Sequence, residues 1–228
     1  MLYKRRGCQA QLIDFLFPDE IYATNQFLKD AAYFVLITLV AAVFGYGLAM
    51  IAPPMKLASS SLTSIVIGLI VFDGIMFATH YAQHRIPFLW RFHKLHHEPD
   101  RLHFLIGFKH HPVDIFLMMT ILTIVACVVP NLLTNPLLIL FYAAGYHLRH
   151  SHIPLEYPKW LNAVLVSPSD HQRHHSKSAA HYNQNLGFIF SFWERLLPKP
   201  KPAHANTANS STAHPFAKVP HNDFDIII

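Results

Sequence analysis

Histidine is the residue type that this sequence uses most unusually. The chain has 18 histidines among 228 residues, and 14 of them fall between positions 80 and 175 in short clusters. Neutral imidazole is a good ligand for iron, zinc, copper and nickel, and it adds no charge to a site. The clustering therefore predicts a metal site rather than a scatter of unrelated histidines.

The spacing within each cluster brings several rings to one side. His80 and His84 are four residues apart and share a helix face. The pattern HxxHH occurs twice, as HKLHH at 93–97 and HQRHH at 171–175, and a fourth cluster, HLRHSH, begins at His147. Eight to ten imidazoles exceed the capacity of one ion, whereas four to five nitrogens each would fill two ions.

Other histidine-based or hydrolytic chemistries lack their required partners. A zinc protease needs HExxH with a glutamate as general base, but Tyr81, Ala82 and Gln83 separate His80 from His84. A carboxylate-bridged di-iron bundle needs Glu-x-x-His pairs, and a serine hydrolase needs G-x-S-x-G. The sequence contains neither pattern in its helices.

The composition indicates a membrane protein. Hydrophobic residues make up 52% of the chain and charged residues only 14%, against about 25% charged in an ordinary soluble domain. Uncharged tracts at 31–55 and 115–148 have bilayer lengths. Cys8 and Cys127 are too isolated to predict a disulfide or a cysteine metal site. The net charge of +5 is interpreted as a sign of membrane topology, not of nucleic-acid binding.

These tracts define the elements that would position the histidines. A span at 31–51 ends before Pro53-Pro54, and a second apolar run at 62–79, with Asp73 inside it, leads into His80. The 115–148 tract is too long for one crossing, and proline and asparagine at 130–136 predict a turn. It is interpreted as a helical hairpin, with a thin or partly re-entrant hairpin left open.

The expected fold is therefore all-α, a multi-pass membrane protein with about four transmembrane helices in two hairpins and a cytoplasmic helical cap carrying a histidine-rich dimetal site. We expect an N-terminal cytoplasmic segment at 1–30, the membrane domain at 31–197 and a disordered tail at 198–228. The turn at 130–136 carries no lysine or arginine and the loop at 52–61 carries only Lys56. This asymmetry predicts that every histidine cluster lies on the cytoplasmic side. Bacterial inner membrane and endoplasmic reticulum fit equally well.

Several linked motifs resemble one known family. Asp73-x6-His80-x3-His84 is followed by Leu89-Trp90-x-Phe92-His93-x2-His96-His97, then by His111-Pro112-x-Asp114. Further on stand His150-Ser151-x-Ile153, Ser167-Pro168-x2-His171-x2-His174-His175, Asn185-x-Gly187 and Ser191-Phe192-Trp193-x-Arg195. Together they resemble the fatty acid hydroxylase and sterol desaturase superfamily of membrane-bound, histidine-ligated di-iron oxygenases, over roughly residues 31–197.

The resemblance implies two iron ions, O2 and a lipid substrate such as a fatty acyl chain or a sterol. The implied reaction is hydroxylation or desaturation of an unactivated C–H bond. The metal ligands that it implies are His80, His84, His93, His96, His97, His147, His150, His171, His174 and His175.

The remaining polar and aromatic residues receive separate interpretations. Asp73, Asp114 and Asp170 are interpreted either as acceptors that orient imidazoles or as helix caps, and His111 as a structural neighbour of the site. The histidines treated as bystanders are His103, His110, His181, His204, His214 and His221. Trp90, Trp160 and Trp193 are interpreted as interfacial anchors.

Two further inferences concern partners and alternatives. The chain has no Gly-rich dinucleotide motif and no cysteine cluster for iron–sulfur ligation, so electrons would come from a separate reductase, ferredoxin or haem protein. The rival hypothesis is a membrane metal-binding or transport protein without oxygenase activity. It is less favoured because transporters place ionisable residues at mid-span, whereas these histidines flank the apolar tracts.

Overall fold

The computed structural model describes residues 15–51, 61–128, 136–178 and 181–197. Within them the chain forms helices α1 (Asp19–Tyr22), α2 (Asn25–Ile51), α3 (Leu62–Arg85), α4 (Pro87–His93), α5 (Pro112–Val128), α6 (Pro136–Arg149), α7 (Lys159–Asn162) and α8 (Pro168–His174). Short 3-10 turns occur at Ile106–Phe108 and Phe192–Leu196. No strand occurs in these ranges, apart from an isolated bridge between Leu165 and Phe190. The all-α prediction is confirmed for this part of the chain.

Four apolar helices carry the fold. Tyr33 near the start of α2 donates to the carbonyl of His110, which lies just before α5. Helices α3 and α6 end on the same side of the molecule. His80 lies near the end of α3 and His150 directly follows α6, and both rings lie among the clustered histidines. The four helices therefore alternate in direction, and all four reach the histidines with one end.

Helix α2 is long and apolar enough to cross a membrane, and its outer surface is apolar. Only Asp30 and Ile37 are buried on it, whereas Leu39, Val43 and Met50 are more than half exposed. Such a surface is typical of a lipid-facing helix. From Ile65 to Arg85, helix α3 is also long and apolar enough to cross a membrane, while Pro112–Cys127 of α5 is apolar but shorter.

The prediction of four spans in two hairpins is thus confirmed only for two helices of spanning length. Helix α6 has 14 residues, too few for a full perpendicular crossing. Most of the predicted turn at 130–136 and of the predicted loop at 52–61 lies outside the described residues, as do residues 1–14 and the tail at 198–228. The crossing number, the cap and its orientation stay predictions.

The apolar core lies between α3, α5 and α6. Phe72 and Met76 of α3 pack against Val125 of α5, and Tyr142 of α6 joins this cluster. Its T-shaped contact with Phe72 has ring centroids 5.2 Å apart, a favourable aromatic geometry. This core fixes α3 against α6 one to two turns below the histidines.

Candidate metal centre

The histidines reach one region from four separate segments. His80 and His84 lie near the end of α3, and His93 ends α4, with His96 and His97 in the turn that follows. His150 follows α6. Helix α8 and its C-cap supply His171, His174 and His175. A capping box starts α8, with Ser167 and Asp170 bonded to each other's main chain, which fixes where this helix begins.

Eight of the histidines form two groups of four. Within each group, one nitrogen from every ring lies within 4.8 Å of the others. The first group is His80, His84, His93 and His97, and the second is His96, His150, His171 and His175. Four nitrogens in each group match the four to five nitrogen ligands per ion expected from the sequence.

Hydrogen bonds at Nδ1 fix the tautomers of several rings. His80 donates from Nδ1 to the carbonyl of Leu186 at 2.9 Å, and His174 does so to the carbonyl of Gln184 at 2.9 Å. A neutral imidazole with Nδ1 protonated carries a bare lone pair on Nε2. The Nε2 atoms of His80 and His174 nevertheless lie only 3.2 Å apart, so two lone pairs face each other.

The second group shows the same convergence. His150 donates from Nδ1 to the carbonyl of Tyr146, which leaves its Nε2 bare. That atom lies 3.1 Å from Nε2 of His96 and 2.9 Å from Nε2 of His171. At metal–nitrogen distances of about 2.0–2.1 Å, adjacent ligand nitrogens lie roughly 3–3.4 Å apart. The observed separations fit a shared cation.

Unpaired buried nitrogens in the first group also indicate a cation site. Nε2 of His84, His93 and His97 is buried without a hydrogen-bond partner, although each belongs to the first group. A buried polar atom without a partner is costly, and three of them converging on one point is unusual. A bound cation accounts for all three, so the residues present fit the metal centre that the sequence suggests.

The electrostatics keep these rings in the ligand form. Burial lowers the pKa of His97, His171 and His175 well below the ordinary histidine value, and repulsion from neighbouring imidazoles lowers it further. Burial also lowers the pKa of His174 to about 3. Neutral imidazoles are the species that bind metal, so the cluster is ready to coordinate at neutral pH.

Two of the ten predicted ligands lie outside the groups of four. His174 adjoins the first group through His80, and its ring makes an edge-to-face contact with His84, with centroids 4.7 Å apart. His147 is not brought to either group. Its Nδ1 donates to the carbonyl of Phe104 at 2.9 Å, and its ring packs beside Phe108.

The three carboxylates have different roles. Asp114 accepts from Nδ1 of His93 at 3.3 Å and from the amide of Gln83 at 3.2 Å, and it therefore orients an imidazole. Asp73 accepts from the main-chain N–H groups of residues 189 and 190 and from the indole of Trp193. It holds the segment whose Leu186 carbonyl fixes His80. Asp170 caps α8.

Sequence reasoning missed His110. This buried ring stacks on His96 with centroids 4.3 Å apart and planes 9° apart, and its Nε2 lies 3.2 Å from the hydroxyl of Tyr146. Its Nδ1 lies 3.7 Å from Asp114, which joins it to His93. The i,i+4 spacing of His110 and Asp114 was the available signal.

Other residues treated as bystanders or anchors also have internal contacts. His103 is buried and pairs with Asp30 at 3.2 Å. Trp90 packs against His84 and His97, and Trp193 lies against Gly74. His111 accepts from the N–H of Val113 at the start of α5. Trp160 is 73% exposed, as expected for an anchor.

Comparison with known proteins adds a family match. The fatty acid hydroxylase model matches residues 65–198. Ornithine lipid hydroxylase of Rhizobium tropici is 29% identical over 58% of this chain and 40% of its own length. Cholesterol 25-hydroxylase of Rattus norvegicus is 30% identical over 61% and 47%. The alignments thus span less than half the length of these relatives. No solved structure matches significantly.

Proposed function

The chain belongs to the fatty acid hydroxylase family, and from this membership we propose that it is a membrane di-iron oxygenase that hydroxylates a lipid. The observation that carries the proposal is the pair of four-histidine groups, whose bare or unpartnered nitrogens converge at one end of apolar helices. Lipid hydroxylation is the activity in the names of both relatives.

The ligand assignment follows the two groups. His80, His84, His93 and His97, with His174 beside them, would hold one ion, and His96, His150, His171 and His175 would hold the other. Iron is the metal that the family implies, and an all-imidazole site suits it. His147 is left out of the ligand set because, among the described residues, its ring packs against Phe108 and Tyr146 and joins neither group.

Two bound irons would supply the redox chemistry by which O2 and external electrons oxidise an unactivated C–H bond. The protein's own residues would bind the ions, orient the ligating imidazoles and shield the site from water. Asp114 holds His93, while the carbonyls of Leu186 and Gln184 hold His80 and His174. Such outer contacts typically change metal affinity by about 10–100-fold. Burial of the ligating rings keeps bulk water from the site.

The electrons would come from a separate protein, a reductase, ferredoxin or haem protein. The metal centre would lie at the cytoplasmic surface of a bacterial inner membrane or the endoplasmic reticulum, with α2 and α3 as two of about four crossings. Lipid would then reach the centre laterally, without leaving the bilayer.

The test is oxygen incorporation. The full chain, purified in lipid nanodiscs with ferrous iron and a reducing partner, is incubated under ¹⁸O2, and extracted lipids are analysed by mass spectrometry. We expect a hydroxylated lipid carrying one ¹⁸O atom, absent from a His97→Ala, His175→Ala variant and retained in His181→Ala. Iron-loaded protein that transfers no label would contradict the proposal and favour a metal-binding or transport role.

A further inference from the structure

A cavity of about 240 Å³ lies between α2, α5 and α6. Ile37 and Ala41 of α2, Met118 and Leu122 of α5, and Ala143 of α6 form part of its wall. These side chains offer no hydrogen bonds, so water would be held poorly there. The natural occupant of such a space is apolar.

One end of the cavity reaches the metal centre. His110, Asp114 and Tyr146 line that end. The ring of His110 stacks on His96, and the ring of Tyr146 lies 4.5 Å from that of His150, centroid to centroid. Since His96 and His150 both belong to the second histidine group, the cavity ends one side chain away from it.

The size of the cavity matches a chain and not a whole lipid. Pockets that enclose a drug-sized ligand occupy about 300–1,000 Å³, more than this cavity offers. Asp114 and Leu122, eight residues apart on α5, both line it, which corresponds to roughly 12 Å along the helix. An extended alkyl chain, advancing roughly 1.3 Å per single bond of about 1.5 Å, would place on the order of nine carbons there.

The position of the cavity makes it accessible from lipid. Ala41 and Thr38 lie on α2 next to the exposed Leu39, Ala42 and Val43, so the wall of the cavity adjoins the apolar outer surface of that helix. A chain could enter from the bilayer between α2 and its neighbours without crossing water.

We propose that this cavity binds the alkyl chain of the lipid substrate beyond the reacting carbon, and that Ala41 and Ala143 determine how long a chain fits. This inference rests on the proposed function, because only that function makes the bound lipid a substrate. A fatty acyl chain and a sterol side chain share this chemistry. Their common requirement is the narrow apolar space that small side chains on α2 and α6 leave open.

Each of these alanines has a matched control beside it in the sequence. Ala41 lines the cavity whereas Ala42 is exposed, and Ala143 lines it whereas Ala144 is exposed. A phenylalanine at 41 would fill part of the cavity from α2, and one at 143 would fill part of it from α6. The same residue at 42 or 144 would point outward and leave the volume unchanged.

The experiment measures binding, independently of turnover. Iron-loaded full chain in detergent binds a fluorescent fatty acid, which is displaced by straight-chain fatty acids of increasing length and, in a separate arm, by cholesterol. We expect Ala41→Phe and Ala143→Phe to weaken binding of the longer chains at least tenfold, with metal content unchanged. Ala42→Phe and Ala144→Phe should match the unaltered protein. Ala41→Val, a smaller change, serves if either phenylalanine variant fails to fold, and it should weaken long chains by a smaller factor.

The outcomes separate the two proposals. Equal binding by the cavity variants and the unaltered protein, or equal weakening by the outward controls, would overturn the cavity assignment even if lipid is hydroxylated. Length-dependent loss confined to positions 41 and 143 would support it even if no ¹⁸O enters lipid. Displacement by fatty acids but not by cholesterol identifies an acyl chain, and the reverse identifies a sterol side chain.

Discussion

His80 and His174 point their Nε2 atoms at each other across 3.2 Å, while the Nδ1 of each ring donates to a main-chain carbonyl. Neither Nε2 carries a hydrogen in that tautomer, so the contact is repulsive between neutral rings. The carbonyl acceptors belong to Leu186 and Gln184, in one short segment. That segment thus aims two imidazoles from separate helices at the same point.

Asp73 holds the segment that carries the Leu186 and Gln184 carbonyls, so Asp73→Asn should lower both stability and metal affinity. The buried carboxylate accepts three hydrogen bonds from the segment at 189–193. An amide leaves at least one donor unsatisfied, at a cost of about 1–3 kcal/mol, and loosens the Leu186 carbonyl. Thermal unfolding and iron titration measure the two effects. The exposed Asp19→Asn is the control, and unchanged iron affinity in Asp73→Asn would contradict the coupling.

Asp114→Asn should weaken metal binding more than it weakens the fold. The change removes the negative acceptor that faces Nδ1 of His93, and loss of such an outer contact typically costs about 10–100-fold in affinity. Competition with a chelator of known affinity measures the change. Asp100→Asn, which removes a surface pair with Lys177, should have no effect on the metal. Equal iron affinity in the two variants would argue against this role for Asp114.

His147 and His150, three residues apart, should behave differently. His150→Ala removes a member of the second group and should reduce the iron content by about one ion per chain. His147→Ala removes a ring bonded to the Phe104 carbonyl and should leave the iron content unchanged. Elemental analysis of both purified variants measures the iron content per chain. Loss of iron in His147→Ala would restore it to the ligand set.

Gly107→Ala should disturb the centre from outside it. A Cβ at this position would lie 2.5 Å from Cε1 of Tyr146 and 3.2 Å from Nδ1 of His150. Tyr146 would have to shift, and overpacking of this kind costs typically about 1–3 kcal/mol. Gly47→Ala, with nothing within 4 Å of its added Cβ, should not lower stability. Thermal unfolding with and without iron compares the two, and equal stability would contradict the close packing.

The sequence predicted much of the centre because the spacing of the motifs is local. HxxHH and HxxxH place rings on one side of a turn or helix, so nine of the ten predicted rings meet in the structure. The tenth, His147, lies about one turn before His150, and its ring bonds to the Phe104 carbonyl and packs beside Phe108 instead of joining the cluster. Local periodicity gives the face of a helix and not what packs against it.

Contacts made at long sequence separation could not be predicted in the same way. Asp73 and Trp193 are 120 residues apart, and the pairing of His80 with His174 spans 94. The division of the rings into two groups depends on such pairings, since His96 and His97 are neighbours in sequence yet belong to different groups. Hydropathy identified α2, α3 and the tract that contains α5 and α6, but it did not predict that α5 and α6 have only 17 and 14 residues.

The most direct test of the central claim is the metal content of the purified protein. The full chain is reconstituted with ferrous iron under anaerobic conditions, desalted and measured by elemental analysis beside a His174→Ala, His175→Ala variant, which alters both sides of the centre. Two groups of four imidazoles predict about two irons per chain, lost in the variant. One ion or none, a preference for zinc or copper, or iron that survives the double substitution would contradict the di-iron centre.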